Sequence, residues 1–440
     1  MHRTSSFLRL LTALAVAVFV APVLGQSSYF PIEGYINVLR SPTSFEVGGR
    51  WFAVSRETGF GVMGSNSASA ESALRSSLRI GVYVQVEGRD EGPIKPFMAQ
   101  TVMIRDDLGE KIGGVGVITR VVAPGPTPVF EADGYFVLIT TATRATFLGG
   151  LNSLDDVSEN TWLQFSGRRG KDGVLEATKV QFFPAKPTKF KAVKGLEIAT
   201  VKTRPAGAKD GSTTSEAAGT PAALTDGVAL RQDEQVKIGL GRWHTLPADQ
   251  PLQERLHRIG MALVPAYQKA LADDDPSKIH FRFFAVDNSK ERGAICLLDG
   301  AVLVSTQAIE RLSIDDELAA VVADGVACNL QRQAARTVAA VRTELGIDLA
   351  LDIAGAFIPG VGLARVGLGV GRGDEEEAME EERLRIGLAL MRDAGFDPWQ
   401  APEGWRFLEP KKLPAKLASL KYPDSSCYQI GILNLQYARK

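Results

Sequence analysis

The chain has 440 residues, long enough for two or three domains at roughly 100–200 residues each, with 45% hydrophobic and 23% charged side chains. Its 50 Lys and Arg against 51 Asp and Glu leave a formal net charge of −1, which excludes the global basic field that draws proteins to nucleic acid or anionic lipid. With 44 glycines and 22 prolines, a long helical bundle is also disfavoured.

The first segment reads as a targeting signal. Arg3 and Arg9 form a short positive region, the run from Leu10 to Leu24 carries no charge, and Val23 and Gly25 are small residues ahead of Gln26. This pattern predicts a signal peptide over 1–25 and an exported protein, periplasmic or extracellular. No cysteine stands at the cleavage point, so a lipoprotein anchor is not expected. No other segment reads as a transmembrane span. The three cysteines, Cys296, Cys328 and Cys427, cannot all pair within one chain. Cys296 and Cys328 read most simply as buried small hydrophobes. A bridge between them is open but not demanded by their spacing.

Residues 30–183 read as β-structure, twice over. Gly34–Ile36, Phe45–Gly49, Val84–Arg89 and Ala99–Val102 find counterparts in Gly116–Ile118, Phe130–Gly134, Leu163–Arg168 and Ala177–Val180, roughly 80 residues later each time. Alternation in Tyr83–Glu87 and Trp162–Ser166 has the period of a half-buried strand. Each unit, 30–105 and 113–183, has enough short strands with glycine turns for a small five-stranded Greek-key barrel of the OB type. The glycine and β-branched landmarks resemble a bacterial exported OB-like domain of unknown function.

OB barrels take oligonucleotides or oligosaccharides when a basic groove carries exposed aromatics. Here Arg168, Arg169 and Lys171 form the local basic cluster, which reads as a solvated hairpin tip. Trp51, Phe52, Tyr135 and Phe136 fall within strand patterns and read as core. No strong nucleic-acid signal results. The stretch 184–233 then turns rich in Ala, Gly, Thr, Pro and Lys, with Gly207–Glu216 its most polar part. Too little apolar surface is present to offset ordering, which predicts a flexible linker.

From Pro251 the period becomes helical, Leu252, Leu256, Ile259, Leu263 and Val264 marking an amphipathic helix to about Leu271. Strands are expected at Phe281–Val286, Ala294–Leu298 and Val302–Thr306, with an Asp299-Gly300 turn between the last two. Ser313 is the expected N-cap of a second helix running to about Gln333, with Asp316 placed to answer it. The apolar, glycine-interrupted run 349–373 holds Asp352, Pro359 and Arg365, which disfavours a membrane span and suggests a helical hairpin or apolar surface loop.

The order helix, strand, hairpin and "D-E-L-A-A-V-V-A" over Asp316–Ala323 resembles the gluzincin zinc metallopeptidases of the HtpX and BepA type, from about Leu252 to Pro410. That family continues with H-E-x-x-H, two imidazoles on one helical face gripping zinc and a Glu acting as general base. This chain continues Asp324-Gly325-Val326-Ala327-Cys328. Its four histidines, His2, His244, His257 and His280, form no pair at helical spacing. Arg392–Pro398 resembles a later family motif, and counting back from it places the family's third ligand on Glu382.

The resemblance implies a multidomain chain of two small all-β OB-like barrels and a degenerate, helix-rich α+β metallopeptidase-like domain at 234–412, followed by a tail at 413–440. No catalytic residue is expected, since Gly325 stands at the position of the base. The implied function is a pseudopeptidase that binds an extended peptide or an unfolded envelope protein without cleaving it. The family's peptide lies along an edge strand, here Gly293, Ala294, Ile295 and Cys296. No cofactor is expected. Zinc enters only under the alternative of an active peptidase with an altered site of Asp324, Cys328 and Glu382. A further alternative makes the barrels a glycan- or nucleic-acid-binding unit with the C-terminal half as scaffold.

Overall fold

A computed structural model describes residues 30–63, 71–89, 95–105, 111–170, 173–186, 201–205, 234–238, 243–245, 250–286, 293–297, 299–333, 373–408 and 425–437. The expected signal peptide and residues 349–372 of the apolar, glycine-interrupted run lie outside them. No helix among the described residues is long and apolar enough to cross a membrane.

The first unit is a closed barrel of β1 (Phe30–Ser41), β2 (Ser44–Val47), β3 (Arg50–Val62), β4 (Tyr83–Arg89) and β5 (Phe97–Ile104), in the order β1-β2-β3-β5-β4. Only β3 and β5 run parallel. Alternate residues Ile36, Phe45, Val47, Phe52, Val84, Val86 and Val102 turn inward and form its core, as the period of two requires. A short helix α1 (Glu71–Ser77) leads from β3 towards β4.

The second unit repeats the topology. Its strands β6 (Lys111–Ala123), β7 (Val129–Ala132), β8 (Tyr135–Leu138), β10 (Trp162–Arg169) and β11 (Leu175–Phe183) close in the same cyclic order. The long β3 is here split into β8 and β9 (Arg144–Phe147), both parallel to β11. Even the break in this strand uses one device twice. Thr58 Oγ1 accepts from the Ser55 amide at 2.9 Å and donates to the Ala99 carbonyl at 2.7 Å. Thr143 Oγ1 does the same with Thr140 and Ala177, at 2.9 and 2.7 Å. Both units are OB-like five-stranded barrels.

The stretch expected as a linker is structured in part. Val201–Pro205 is a strand, β12, pairing antiparallel with β13 (Glu234–Ile238), which pairs with β14 (Trp243–Thr245). Residues 206–233, with the most polar segment, lie outside the described ones.

The C-terminal half begins with α2 (Gln250–Leu263) and α3 (Ala266–Ala270). The single helix expected to Leu271 is broken because Pro265 has no N–H to continue the ladder. Strands β15 (Arg282–Val286), β16 (Ala294–Cys296) and β17 (Ala301–Ser305) form a sheet in the order β15-β17-β16, parallel then antiparallel. After α4 (Thr306–Arg311) comes α5 (Asp315–Leu330), which is buried along nearly its whole length. Its N-cap is Ile314, with no side-chain cap, rather than Ser313. The helix start is held instead by Asp315, Asp316 and Glu317 against the positive end of the helix dipole. Arg255 and Arg258 tie down Asp315 at 2.8 and 2.7 Å.

Helix α6 (Gly373–Asp393) packs along α5, and α7 (Ala401–Leu408) crosses it. The expected tail is in fact a packed helix, α8 (Ser425–Gln436), with Cys427, Tyr428, Ile432 and Leu433 buried. The largest apolar core joins these helices to Tyr35 of β1 and to Val117 and Trp162 of the second barrel. The barrels are therefore docked on the helical half through a shared core. Tyr35 and Tyr428 meet edge to face, 5.8 Å between ring centroids.

Candidate functional site

The residues singled out from the sequence meet at the seam of α5, α6 and the small sheet. Asp324, Gly325 and Cys328 lie on α5, and Glu382 on α6. Each is committed to a structural contact. Asp324 accepts from Arg383 Nε at 2.9 Å, both side chains nearly buried. Burial pushes the Asp324 carboxyl above the usual carboxylate range, against the pull of Arg383. Arg383 Nη1 donates to Gln333 Oε1 at 2.8 Å, and Gln333 Nε2 donates to Glu382 Oε2 at 2.5 Å. The two carboxylates are thus joined through a guanidinium and an amide.

Gly325 faces the sheet. A Cβ there would lie 2.5 Å from Val302 Cγ1 and 3.2 Å from Ala294 Cβ, so no side chain fits between α5 and the strands. Cys328 is joined by a disulfide to Cys296 of β16, across a sequence separation of 32, and has no thiolate to offer a metal. Among the described residues no group of three His, Cys, Asp or Glu is placed to hold a metal ion. Asp324, Cys328 and Glu382 are therefore each tied to other partners and do not form a ligand shell. Cys427 is buried and lies outside the disulfide.

Gly293, Ala294, Ile295 and Cys296 do stand at the sheet edge. Ala294, Ile295 and Cys296 are only 8, 2 and 1% exposed, however, and the disulfide pins the strand to α5. An added peptide strand needs an open edge, and these three residues do not present one.

Arg383 and Gln333 were missed by sequence reasoning. Their roles depend on how α6 crosses the end of α5, which no local pattern encodes. The basic hairpin tip is corrected by the fold. Arg169 is only 6% exposed, because the β10–β11 hairpin leans on α8 so closely that a Cβ on Gly173 would meet the Leu435 carbonyl at 2.3 Å. The alternation of Leu163, Phe165 and Gly167 carried two residues further places Arg169 on the buried face, a signal that was available. Trp51 and Phe136 are half-buried, while Phe52 and Tyr135 are buried as expected.

A second polar centre joins the second barrel to α6. At the β7–β8 turn Asp133 and Gly134 both take positive φ, 54° and 69°, as a tight two-residue hairpin turn requires. Arg385 donates to the Asp133 carbonyl, to Asp133 Oδ1 at 2.9 Å and to Tyr428 Oη at 2.6 Å. Nearby, Glu131 accepts from Arg392 at 2.6 Å and Arg120 at 3.2 Å. These buried contacts fix barrel and helices in one arrangement. Where the two barrels meet α6 and α8, a cavity of about 220 Å³ remains, with Tyr35, Arg105, Lys111, Tyr135, Arg169 and Glu381 on its wall.

The architecture is thus a pair of OB-like barrels on a helical half. When the chain is compared with known proteins, no family model and no curated sequence matches it.

Proposed function

We propose that this protein is an exported pseudopeptidase, a metallopeptidase-like domain that has exchanged its zinc chemistry for structural bonds and acts by binding peptides or envelope proteins. The observation that carries the reading is the fate of the five-residue motif segment. The first position holds an ion pair with Arg383, the second is pressed against Val302, and the fifth is a disulfide half-cystine. A working site needs two free ligands and an intervening base, and all three positions are occupied by other contacts. The buried disulfide also suits an oxidising compartment, which agrees with export. Peptide capture along Ala294–Cys296 is disfavoured by their burial, so binding is assigned to the exposed surfaces of the barrels and helices.

The test uses the full chain. Incubated with a peptide library in the presence and absence of zinc, it is expected to leave every peptide intact and to carry no stoichiometric metal after purification. Chelator-sensitive cleavage would overturn the proposal. A variant rebuilding H-E-x-x-H at 324–328 is not expected to gain activity, because a glutamate at 325 has no space beside Val302.

A further inference from the structure

The cavity at the junction of the two barrels and helices α6 and α8 has on its wall a buried arginine, Arg169, with no ion pair among the described residues. Arg169 and Arg385 are buried alike, 6 and 7% exposed. Arg385 is fully engaged by Asp133 and Tyr428. In Arg169, Nε and Nη1 have no hydrogen-bond partner although both atoms are shielded from solvent. Its guanidinium lies over the face of Tyr135, 5.7 Å from the ring centroid. An unpaired buried cation is among the costliest features a fold can keep, and an apolar residue of similar length would be cheaper.

Among the described residues, no carboxylate pairs with Arg169. Arg105 and Lys111 line the same cavity, against one carboxylate, Glu381, and that carboxylate already accepts from Tyr35 Oη at 3.3 Å. Arg105 is itself stacked over Tyr83 and donates to Tyr35 Oη at 3.2 Å. Lys111 is exposed at the mouth. The cavity is therefore a positive, partly aromatic hollow whose wall includes a buried guanidinium with two N–H-bearing nitrogens, Nε and Nη1, that lack a partner. Guanidinium donors in a desolvated pocket pair best with a carboxylate or phosphate.

We propose that this cavity binds a small oxyanion-bearing molecule, a phosphate or a carboxylate, with Arg169 as its buried partner and Lys111 and Arg105 beside it. The proposal is independent of the pseudopeptidase reading, since no residue of the motif segment takes part. Its walls come from both barrels and from the helical half, so the anion would also brace the three against one another.

The experiment follows thermal unfolding of the full chain with inorganic phosphate in one arm and citrate in the other, at matched ionic strength with chloride as control. At ligand well above its dissociation constant the wild type is expected to gain several degrees in one arm or both, and the responding arm identifies the anion. Arg169→Met is expected to abolish that gain while melting no lower than the wild type without ligand, because it removes an unpaired charge. Lys111→Gln, at an exposed position, is expected to fold normally and to weaken binding severalfold. No shift in either arm would overturn the proposal. So would an equal shift in Arg169→Met, or a ligand-free Arg169→Met protein that is clearly less stable, since the arginine would then be a structural strut.

Discussion

Replacing Gly325 by alanine sets two effects against each other. A mid-helix glycine costs about 1 kcal/mol relative to alanine, so propensity alone favours the change. The new methyl carbon would sit 2.5 Å from Val302 Cγ1, 3.4 Å from Val302 Cγ2 and 3.2 Å from Ala294 Cβ. Val302 is fully buried on the central strand of its sheet, and a β-branched side chain has little rotamer freedom with which to retreat. Helix or strand must shift, and overpacking of this kind typically costs about 1–3 kcal/mol. The net expectation for Gly325→Ala is a loss of about 1 kcal/mol, with propensity recovering part of the cost. Gly387 on α6 is the internal control. A Cβ there meets Ala323 Cβ at 3.5 Å, an ordinary contact, so Gly387→Ala should gain up to about 1 kcal/mol. Urea unfolding followed by far-ultraviolet circular dichroism measures both, and the two midpoints should move in opposite directions. A Gly325→Ala protein as stable as Gly387→Ala would refute the claim that the motif helix is sealed against the sheet.

Other outcomes follow from the same geometry. Opening the Cys296–Cys328 bridge, whose partners are 32 residues apart, should cost about 4 kcal/mol on chain-entropy grounds, read as a lower urea midpoint of the Cys296→Ala/Cys328→Ala protein. Arg385→Met would remove the guanidinium that pairs with the buried Asp133 carboxylate, a loss of about 3–5 kcal/mol that should loosen the second barrel in hydrogen exchange before the first. Asp324 titrates above its ordinary value of 3.8, so folding takes up a proton between the unfolded and folded values. The stability of wild type relative to Asp324→Asn should therefore rise as pH falls from neutral through the raised folded-state value, and a fall across that range would contradict the burial argument.

Some of this was legible in the sequence and some was not, for physical reasons. The tandem barrels were readable because a period of two and glycine turns are local properties, as Phe45 and Phe130 illustrate in their matched core positions. The position of α5, which carries Asp324 and Cys328, was readable for the same reason. What those residues do was not, because Arg383, Gln333 and Cys296 reach them from other elements. Helix α8 escaped notice since apolar and polar residues alternate without a single stripe in Ser425–Gln436. It is covered by α6, α7 and β1 on several sides, and a helix enclosed in that way shows no amphipathic pattern. Arg169 reads as exposed from its charge and as buried from its strand phase, and the fold follows the strand phase.

The position of α8 has a consequence for how the molecule is made. Its Tyr428 meets Tyr35 nearly four hundred residues earlier, and Arg385 holds both Tyr428 and the Asp133 turn. Each barrel closes through pairings within its own unit, so each has what it needs to form soon after synthesis. Their final seating must wait until the stretch beyond residue 425 has left the ribosome and crossed the membrane if the chain is exported. Until then, Tyr35, Val117 and Trp162 lack part of their partner surface. Such long-range closure is slow relative to local folding, and the interval exposes apolar surface on two already formed barrels. A chaperone that shields those faces would act in that interval, and premature termination near residue 420 would leave two folded barrels with no stable arrangement between them.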